Sequence, residues 1–395
     1  MKALHPARRA AIPYARQSIS SADVAAVARA LRSDFLTQGP AVPAFERAVS
    51  RRCGAEHAVA VNSATSALHL GCLALGLGPG DTLWTTPNTF VASANCALYC
   101  GASVDFVDID PSTWNLSTLA LRRKLVSARR KGQLPKVVVP VHFAGQPCEQ
   151  EEIMELAVQF GFKVLEDASH ALGAARHGEP VGSCRWSHAT VLSFHPVKII
   201  TSVEGGMLLT NDTLVAQQAA SLRSHGISRD PRRLTRAPDG PWYYEQLELG
   251  FNFRLTDVQA ALGTSQLGRL DDFIACRNRL ARRYDRALRG LPLRLPTVRA
   301  GNLSAFHLYV ARLDRRRAGI SHADLHAAMR AEQIGVNLHY MPVHLQPYYR
   351  KLGFRPRAFP EAERYATEAI TLPLYPGLTD ADQDRVVRTL RRLLR

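Results

Sequence analysis

Short apolar segments alternate with helical stretches between residues 40 and 220, and this alternation constrains the fold more than any other feature of the sequence. The segments, rich in valine and leucine, lie at residues 58–63, 81–87, 103–109, 136–143, 162–169, 189–194 and 205–210. They are too apolar for a sheet with one face in water, so each is predicted to be a strand covered on both faces. Strands that alternate with helices predict an α/β domain with a mainly parallel central sheet flanked by helices.

The pattern changes after Thr256. Residues 257–291 carry apolar side chains at intervals of three and four, which predicts one long helix. Prolines and a glycine then interrupt residues 292–301, and a smaller C-terminal α/β unit is predicted from the segments FHLYVARL, HADLHAAMRAEQ and VNLHYMP. We therefore expect a large unit over residues 1–265, whose N-terminal segment is able to pack on the small unit, and a second unit over residues 266–395 that includes most of the long helix.

Composition places the chain among globular proteins, with 46% hydrophobic and 21% charged residues. No apolar run reaches the roughly 18 to 20 residues of a membrane span, and the first residues lack the apolar stretch of a signal peptide. We expect a cytoplasmic protein that does not bind membranes. The 7 cysteines form no CxxC pair and are odd in number, which indicates reduced thiols and no metal site.

The formal net charge of +16 suits two classes of protein. It fits a nucleic-acid binder, and it fits equally well a protein whose positive field attracts an anionic small molecule such as a nucleotide diphosphate. The arginines are scattered at helical spacings and no recognition motif accompanies them. A nucleic-acid binder therefore stays an alternative, and it predicts salt-sensitive binding to any duplex and no yellow chromophore.

One lysine occupies an unusual place in the α/β pattern. It is Lys198, in the segment SFHPVKIITSVEGG, just after a predicted strand. Its immediate neighbours, Val197 and Ile199, are apolar. Most lysines at strand ends keep the ammonium group in water. Surroundings that desolvate the amine would instead make it a nucleophile or a Schiff-base former.

Other predicted strand ends carry polar groups that suit a common ligand, because ligands of open parallel sheets bind at the carboxyl ends of the strands. The loop from Asn62 to Ser66 joins a strand to a helix, and its small residues and hydroxyls suit a phosphate group, although ordinary helix caps look the same. Asp167 ends another strand. It either caps the next helix or pairs with the pyridine nitrogen of pyridoxal phosphate.

Three further residues complete the pattern. Phe90 either stacks on a flat ring or packs as an ordinary aromatic residue. Ser193 offers a phosphate contact, and His170 is either a core histidine or a group beside the ring. A phosphate loop, an aromatic face, a pyridinium partner and a lysine in sheet order together predict a pyridoxal phosphate site more specifically than any one of them does.

Sequence blocks follow one another from about Ile12 to the C-terminus, among them NSATSALHL, TTPNTFVASANC, LEDASHALGA, SFHPVK, EGGM, GFNFRLTDVQAALG and HLY. In these blocks and their order, the chain resembles the DegT/DnrJ family of pyridoxal-phosphate-dependent sugar aminotransferases. The resemblance implies a fold-type-I transferase, similar to aspartate aminotransferase. The segments LTQGP, GQPCEQEEI and HYMPVHLQPYY are similar in particular to the UDP-sugar 4-aminotransferases of the pseudaminic acid pathway.

The resemblance also implies a role for each site residue. Lys198 becomes the lysine that holds the cofactor covalently, Asp167 the pyridinium partner, Phe90 the stacking ring and His170 the neighbour of the phenolic oxygen. The residues implied for the phosphate are Ala64, Thr65, Ser66, Ser193 and, from the other subunit of a homodimer with shared active sites, Asn252. The residues implied for the substrate are Thr37, Arg223, His339, Tyr340, His344, Gln346 and Tyr349.

The implied reaction transfers the amino group of L-glutamate to C4 of UDP-2-acetamido-2,6-dideoxy-β-L-arabino-hexos-4-ulose, and the product is UDP-4-amino-4,6-dideoxy-N-acetyl-β-L-altrosamine. Another nucleotide-linked 3- or 4-keto sugar stays open as the substrate. A regulator that binds the cofactor is a further alternative, but it needs a winged-helix segment, and the chain is expected to have no room for one before Ile12. Some relatives replace the lysine by histidine and dehydrate sugars, and Lys198 argues against that activity.

Two positions after the lysine depart from the family pattern. Similar proteins tend to have proline after the lysine and glycine before the EGG, where this chain has Ile199 and Val203. A glycine in such a place provides a positive φ or a small side chain. Val203 is therefore expected to restrict the loop beside the cofactor.

Overall fold

The computed structural model describes residues 10–394, and two 3-10 turns within them span Phe143–Gly145 and Val343–Leu345. The α-helices, numbered in chain order, are α1 Ser21–Leu31, α2 Ala41–Cys53, α3 Ala64–Ala74, α4 Ala92–Tyr99, α5 Thr118–Lys131, α6 Gln150–Phe160, α7 Thr213–Arg223, α8 Asp257–Leu267, α9 Leu270–Ala287, α10 His322–Ala331, α11 Pro347–Lys351, α12 Pro360–Ala366 and α13 Asp380–Leu393. The strands are β1 His57–Val61, β2 Thr82–Thr85, β3 Ser103–Phe106, β4 Val137–Val139, β5 Lys163–Asp167, β6 Ala175–Arg176, β7 Glu179–Pro180, β8 Ala189–Ser193, β9 Gly206–Thr210, β10 Ile227–Ser228, β11 Glu245–Gln246, β12 Leu293–Arg294, β13 Asn302–Leu303, β14 Tyr309–Leu313 and β15 Ala369–Leu372.

The main sheet has 7 strands in the order β1-β9-β8-β5-β4-β2-β3. Strand β9 runs antiparallel to its neighbours β1 and β8. The remaining neighbouring pairs of this sheet are parallel. The mainly parallel sheet predicted from the apolar segments is confirmed, and its strands other than β9 end at one common edge.

Helices cover both faces of the main sheet, which is why its strands are so apolar. Strand β4 shows the arrangement, because successive side chains of a strand point to opposite faces. Val137 and Val139 pack into one core with side chains of α3, α4 and α7. Val138 packs into the opposite core with side chains of α5 and α6.

The predicted long helix after Thr256 is wrong in one respect, because it is divided into α8 and α9 at Gly268 and Arg269. Glycine is a poor helix former, and Arg269 leaves the helical region with φ −109°. The guanidinium of Arg269 bonds the carbonyl of Ser18 at 3.0 Å and pairs with the buried carboxylate of Asp23. The corner is therefore fixed against α1.

The C-terminal part of the chain builds a second, antiparallel sheet in the order β12-β14-β15. The predicted segment VNLHYMP adds to it only an isolated bridge, between Asn337 and Thr371. Ile12 packs in the core of this part, and its backbone pairs with Gln333 at 2.9 Å and with Gly335 at 2.7 Å. A division of the chain near residue 265 stays a proposal, and its outer limits lie outside the described residues.

Between residues 10 and 394, no helix combines the length and the apolar character needed to cross a membrane. Within the same range, no group of three or more His, Cys, Asp or Glu side chains is arranged to hold a metal ion. The cysteines are free thiols, and Cys276 is the one that is only partly buried.

Candidate active site

A cavity of about 400 Å³ opens at the edge where the parallel strands of the main sheet end. Its walls include the N-terminus of α3, the ends of β5 and β8 and the turn after β8. Two distant segments, around Tyr14 and residues 337–340, complete it. Phe90 lies at its mouth with 57% of its surface exposed. The cavity thus occupies the position where open α/β sheets bind ligands.

Lys198 lies in the turn that follows β8 and lines the cavity. The turn closes through the N–H of Lys198, which donates to the carbonyl of His195 at 2.9 Å. Ile199 and Ile200 are buried in the core behind it. Desolvation lowers the pKa of Lys198 to about 8, although the nearby charge of Asp167 opposes the shift. A substantial share of the amine is therefore neutral near pH 8, as a nucleophile or base requires.

Asp167 ends β5 and faces the same cavity. Its carboxylate accepts a hydrogen bond from the hydroxyl of Ser93 at 2.6 Å and another from the N–H of Ser169 at 3.0 Å. Ser93 is buried in α4, so the carboxylate is held from a second element. The result is an oriented carboxylate at the floor of the cavity, near the amine of Lys198.

The N-terminus of α3 lies in the wall of the cavity and is suited to an anion. The first-turn N–H groups of a helix have no intrahelical partner, and Ser63 caps that of Ser66 at 3.1 Å. Ala64 and Thr65 line the cavity, where their N–H groups and the helix dipole favour an anion. Gly206 packs against this turn, since a Cβ there would lie 2.4 Å from the carbonyl carbon of Ser63.

Of the other two phosphate residues predicted within this chain, one lines the cavity and one does not. Ser193, at the end of β8, lines the cavity. Ser66 is buried, and its hydroxyl donates to the side chain of Asn62 at 2.7 Å. It therefore supports the turn from behind.

The predicted substrate segment HYMPVHLQPYY is divided between the cavity and the interior. His339 and Tyr340 line the cavity. His344 is fully buried against the carboxylate of Glu363 at 3.0 Å. The hydroxyl of Tyr349 donates to the side chain of Asn95 at 2.6 Å. Gln346 occupies the N-cap position of α11, and its side chain makes no capping hydrogen bond.

Three further predicted site residues also lie away from the cavity of their own chain. Thr37 is exposed, and its backbone forms an isolated antiparallel bridge with that of Thr256. Arg223 pairs with Glu46 at 2.7 Å in a separate cleft of about 220 Å³. Asn252 is exposed, and its backbone pairs with that of Ser224. Their roles stay predictions, and the role of Asn252 requires a second subunit.

Several residues that form the site were not predicted from the sequence. Ser93 holds Asp167, and the cavity is also lined by Tyr14, Glu204 and His307. The sequence pattern could have indicated two of them, because Glu204 lies in the EGGM block and His307 in the HLY block of the family resemblance. Tyr14 had no local signal, since it reaches the cavity through the pairing of Ile12 with the C-terminal part of the chain.

Comparison with known proteins identifies the family of this chain. Residues 17–391 match the model of the DegT/DnrJ/EryC1/StrS aminotransferase family. The chain belongs to this family. It is a pyridoxal-phosphate-dependent sugar aminotransferase with the fold-type-I architecture, as the sequence predicted.

Individual relatives resemble the chain over nearly its whole length. The spore coat polysaccharide biosynthesis protein SpsC of Bacillus subtilis is 38% identical over 97% of both chains. The structure of Helicobacter pylori PseC, an aminotransferase involved in the biosynthesis of pseudoaminic acid, is 29% identical with a TM-score of 0.89, over 98% of this chain and 99% of that chain. The pyridoxal phosphate form of the sugar aminotransferase Spr1654 from Streptococcus pneumoniae is 27% identical with a TM-score of 0.87, over 97% and 98%.

The residues of the cavity fit pyridoxal phosphate. An anion site at a helix N-terminus suits the phosphate, and the desolvated amine of Lys198 suits the aldehyde. The oriented carboxylate of Asp167 suits the pyridine nitrogen. Gly206 approaches the N-terminus of α3 so closely that there is no room for a Cβ. The backbone of Gly206 therefore packs directly against this part of the cavity wall.

Val203 shows the strain expected from its departure from the family pattern. Its φ is +70°, a left-handed conformation that is unfavourable by about 1–2 kcal/mol for residues other than glycine. It is 58% exposed. We expect Val203→Gly to raise the free energy of unfolding by about 1 kcal/mol, because relief of strain outweighs the added freedom of the unfolded chain. Turnover should change only modestly, and denaturant titration and steady-state kinetics measure the two effects.

Val298 provides the matched control for this substitution. It is also an exposed loop valine, but its φ is not positive. Val298→Gly should therefore lower the free energy of unfolding. A large loss of stability in Val203→Gly would show that Val203 contributes to the core and would contradict the strain argument.

Proposed function

We propose that this enzyme transfers the amino group of L-glutamate to C4 of a UDP-linked 4-keto-6-deoxy-N-acetylhexosamine, giving UDP-4-amino-4,6-dideoxy-N-acetyl-β-L-altrosamine. The observation that carries the proposal is the likeness to PseC, which extends over 98% of this chain with a TM-score of 0.89. The position of His339 and Tyr340 in the cavity supports it, because the HYMPVHLQPYY segment is the part that resembles the UDP-sugar aminotransferases.

In the proposed mechanism the chain's own residues bind, orient and move protons. Bound pyridoxal phosphate supplies the electron sink that allows an amino group to leave one carbon and join another. Asp167 would keep the pyridine nitrogen protonated, and the N-terminus of α3 with Ser193 would hold the phosphate. The Nζ of Lys198 would take a proton from the reacting carbon and later return one, for which its lowered pKa is suited.

We also propose that the enzyme is a homodimer with shared active sites. Large apolar side chains are exposed on α1 and just after it, where Val24 is 61% exposed, Leu31 57% and Phe35 52%. Leu249, three residues before Asn252, is 84% exposed. A second copy that covers this surface removes it from water, and the partner's Asn252 would then supply a contact to the phosphate.

Mixing two impaired variants tests the shared site. If Asn252 acts across the interface, a dimer of one Lys198→Ala chain and one Asn252→Ala chain contains one site with both residues intact. After random subunit exchange, about a quarter of wild-type activity should return. The control is a mixture of Lys198→Ala and Asp167→Asn chains, which has no intact site because both residues lie in one cavity. Mixed dimers no more active than their parents would place the site within a single chain.

A panel of keto sugars tests the proposed substrate. The enzyme, loaded with cofactor and supplied with L-glutamate, should aminate the UDP-linked acetamido sugar and use its dTDP-linked or non-acetylated counterparts much more poorly. Mass spectrometry and NMR of the product establish the site of amination. Faster turnover of dTDP-4-keto-6-deoxyglucose would exclude the proposed substrate and leave the aminotransferase activity standing.

The identity of 38% with SpsC favours a second candidate. SpsC carries the name of a protein of polysaccharide biosynthesis, so the acceptor here would be another nucleotide-linked 3- or 4-keto sugar whose amino product enters a polysaccharide. The same panel, extended to 3-keto sugars, separates the two candidates by the compound that gives the highest kcat/KM.

A further inference from the structure

His170 is buried in the wall of the cavity, and both of its ring nitrogens have partners within the chain. Its Nδ1 accepts a hydrogen bond from the backbone N–H of Ala144 at 3.3 Å. Its Nε2 lies 3.0 Å from the hydroxyl oxygen of Tyr340. A backbone N–H can only donate, so Nδ1 of His170 carries no proton.

The charge state of His170 decides where its single proton lies. Burial lowers the pKa of His170 well below its ordinary value, and the positive charge of Lys198 lowers it further. The imidazole is therefore neutral at pH 7. A neutral imidazole without a proton on Nδ1 carries its proton on Nε2, so Nε2 donates to the hydroxyl of Tyr340.

When Nε2 of His170 donates to the hydroxyl oxygen of Tyr340, the hydroxyl proton of Tyr340 is free to be donated elsewhere. Within residues 10–394 the hydroxyl has no partner besides His170, and the side chain lines the cavity with its ring centroid 6.3 Å from that of Phe90. We infer that His170 orients the hydroxyl of Tyr340 so that it donates its proton to an oxygen atom of the molecule bound in the cavity. His170 is then a positioning residue, and Tyr340 is the group that contacts the ligand.

The backbone that supports His170 has an unusual conformation. Ala144 has φ +57° in the 3-10 turn, which few residues other than glycine adopt, and its N–H is thereby turned toward His170. Gly145 follows with φ +95°, and a Cβ there would lie 2.8 Å from the backbone nitrogen of Phe306. The ring of His307 lies 4.4 Å from that of His170. Backbone strain held by close packing on several sides is characteristic of functional sites.

The expected acceptor is an oxygen that carries or develops negative charge. The phenolic oxygen of the cofactor and an oxygen of the keto sugar share this chemistry. Burial raises the pKa of Tyr340, so the residue remains a donor at the pH of the reaction. The inference rests on the cavity being the aminotransferase site, but not on the identity of the sugar.

The position of the proton can be tested without cofactor or substrate. In the cofactor-free protein with ¹⁵N-labelled histidine, NMR should show His170 as a neutral ring protonated on Nε2, with His170→Gln used to assign the signal. A proton on Nδ1, or a charged ring at pH 7, would overturn the inference. This outcome is independent of the substrate panel.

The role of the hydroxyl is tested by Tyr340→Phe, with Tyr348→Phe as the matched control because Tyr348 is 59% exposed. Loss of a hydrogen bond to a charged oxygen should lower kcat by about 10- to 100-fold. If the acceptor is the phenolic oxygen, the visible band of the loaded enzyme and its pH midpoint shift before any sugar is added. If it is a sugar oxygen, the band is unchanged and only the half-reaction with the keto sugar slows. Unchanged spectrum and unchanged kinetics in both half-reactions would contradict the inference.

Two substitutions of His170 separate positioning from a purely structural role. The amide of His170→Gln can accept from Ala144 and donate to Tyr340, so this variant should keep most of the activity. His170→Leu can do neither and should match Tyr340→Phe in spectrum and in the affected half-reaction. Equal impairment of the Gln and Leu variants, with a wild-type spectrum in both, would show that His170 acts only through packing.

Discussion

Lys198→Ala is expected to shift the visible band of the cofactor-loaded enzyme to that of the free aldehyde and to lower turnover by on the order of 10⁴-fold. The substitution removes both the covalent attachment point and the base that moves the proton. The protein should still fold, since the neighbouring Ile199 and Ile200, not the lysine, fill the core. Absorbance spectra and single-turnover kinetics measure the two losses.

Lys163→Ala is the matched control, because Lys163 is an exposed lysine in β5 of the same sheet. It should retain colour and turnover. Borohydride treatment followed by peptide mapping should find the cofactor fixed to Lys198. A label on any other lysine, or full activity in Lys198→Ala, would contradict the assignment.

The capture of cofactor by the cofactor-free protein should depend on pH. The pKa of Lys198 is lowered to about 8, and only the neutral amine reacts with an aldehyde. The rate of capture should therefore rise as pH increases from 6 to 8 and level off above that range. An amine with the ordinary lysine pKa near 10.4 would show a rate that is still rising at pH 9.

Asp167→Asn is expected to lower turnover by roughly 10²- to 10³-fold while leaving the cofactor bound. Asparagine has nearly the same shape and still accepts the hydrogen bond from Ser93. Without the negative charge, however, the pyridine nitrogen loses its proton and the ring withdraws electrons less strongly. Steady-state kinetics and cofactor content separate the effect on chemistry from an effect on binding.

Asp212→Asn is the control for this change. Asp212 is exposed and caps α7 through its side chain, and asparagine caps helices about as well. It should be close to wild type. Near wild-type turnover in Asp167→Asn as well would exclude Asp167 as the pyridinium partner.

The strands of the main sheet could be predicted because burial on both faces leaves a local signal of apolar residues. The break between α8 and α9 could not, since Arg269 is fixed by Ser18 and Asp23, which are distant in sequence. Local helical periodicity does not report such a contact. The prediction of one long helix failed for this reason.

The site likewise contains residues that a sequence rule could place and residues whose position depends on the fold of the whole chain. Asp167 and Ser193 end strands of the sheet, so the rule for open α/β sheets was sufficient to bring them together with Lys198. For residues 339–349, polar and aromatic character alone did not separate His339 and Tyr340, which line the cavity, from His344 and Tyr349, which point into the interior. That difference depends on the path of the backbone, which the sequence pattern does not determine.

The pairing of Ile12 with Gln333 and Gly335 has a consequence for how the enzyme matures. Tyr14 precedes its anchoring segment by more than 300 positions, so it reaches the cavity only after that segment has been synthesised. The N-terminal segment must therefore wait until most of the chain has emerged. Cofactor capture at full affinity then follows the synthesis of residues 333–335, and a chain stopped before residue 333 would expose Lys198 without a complete pocket.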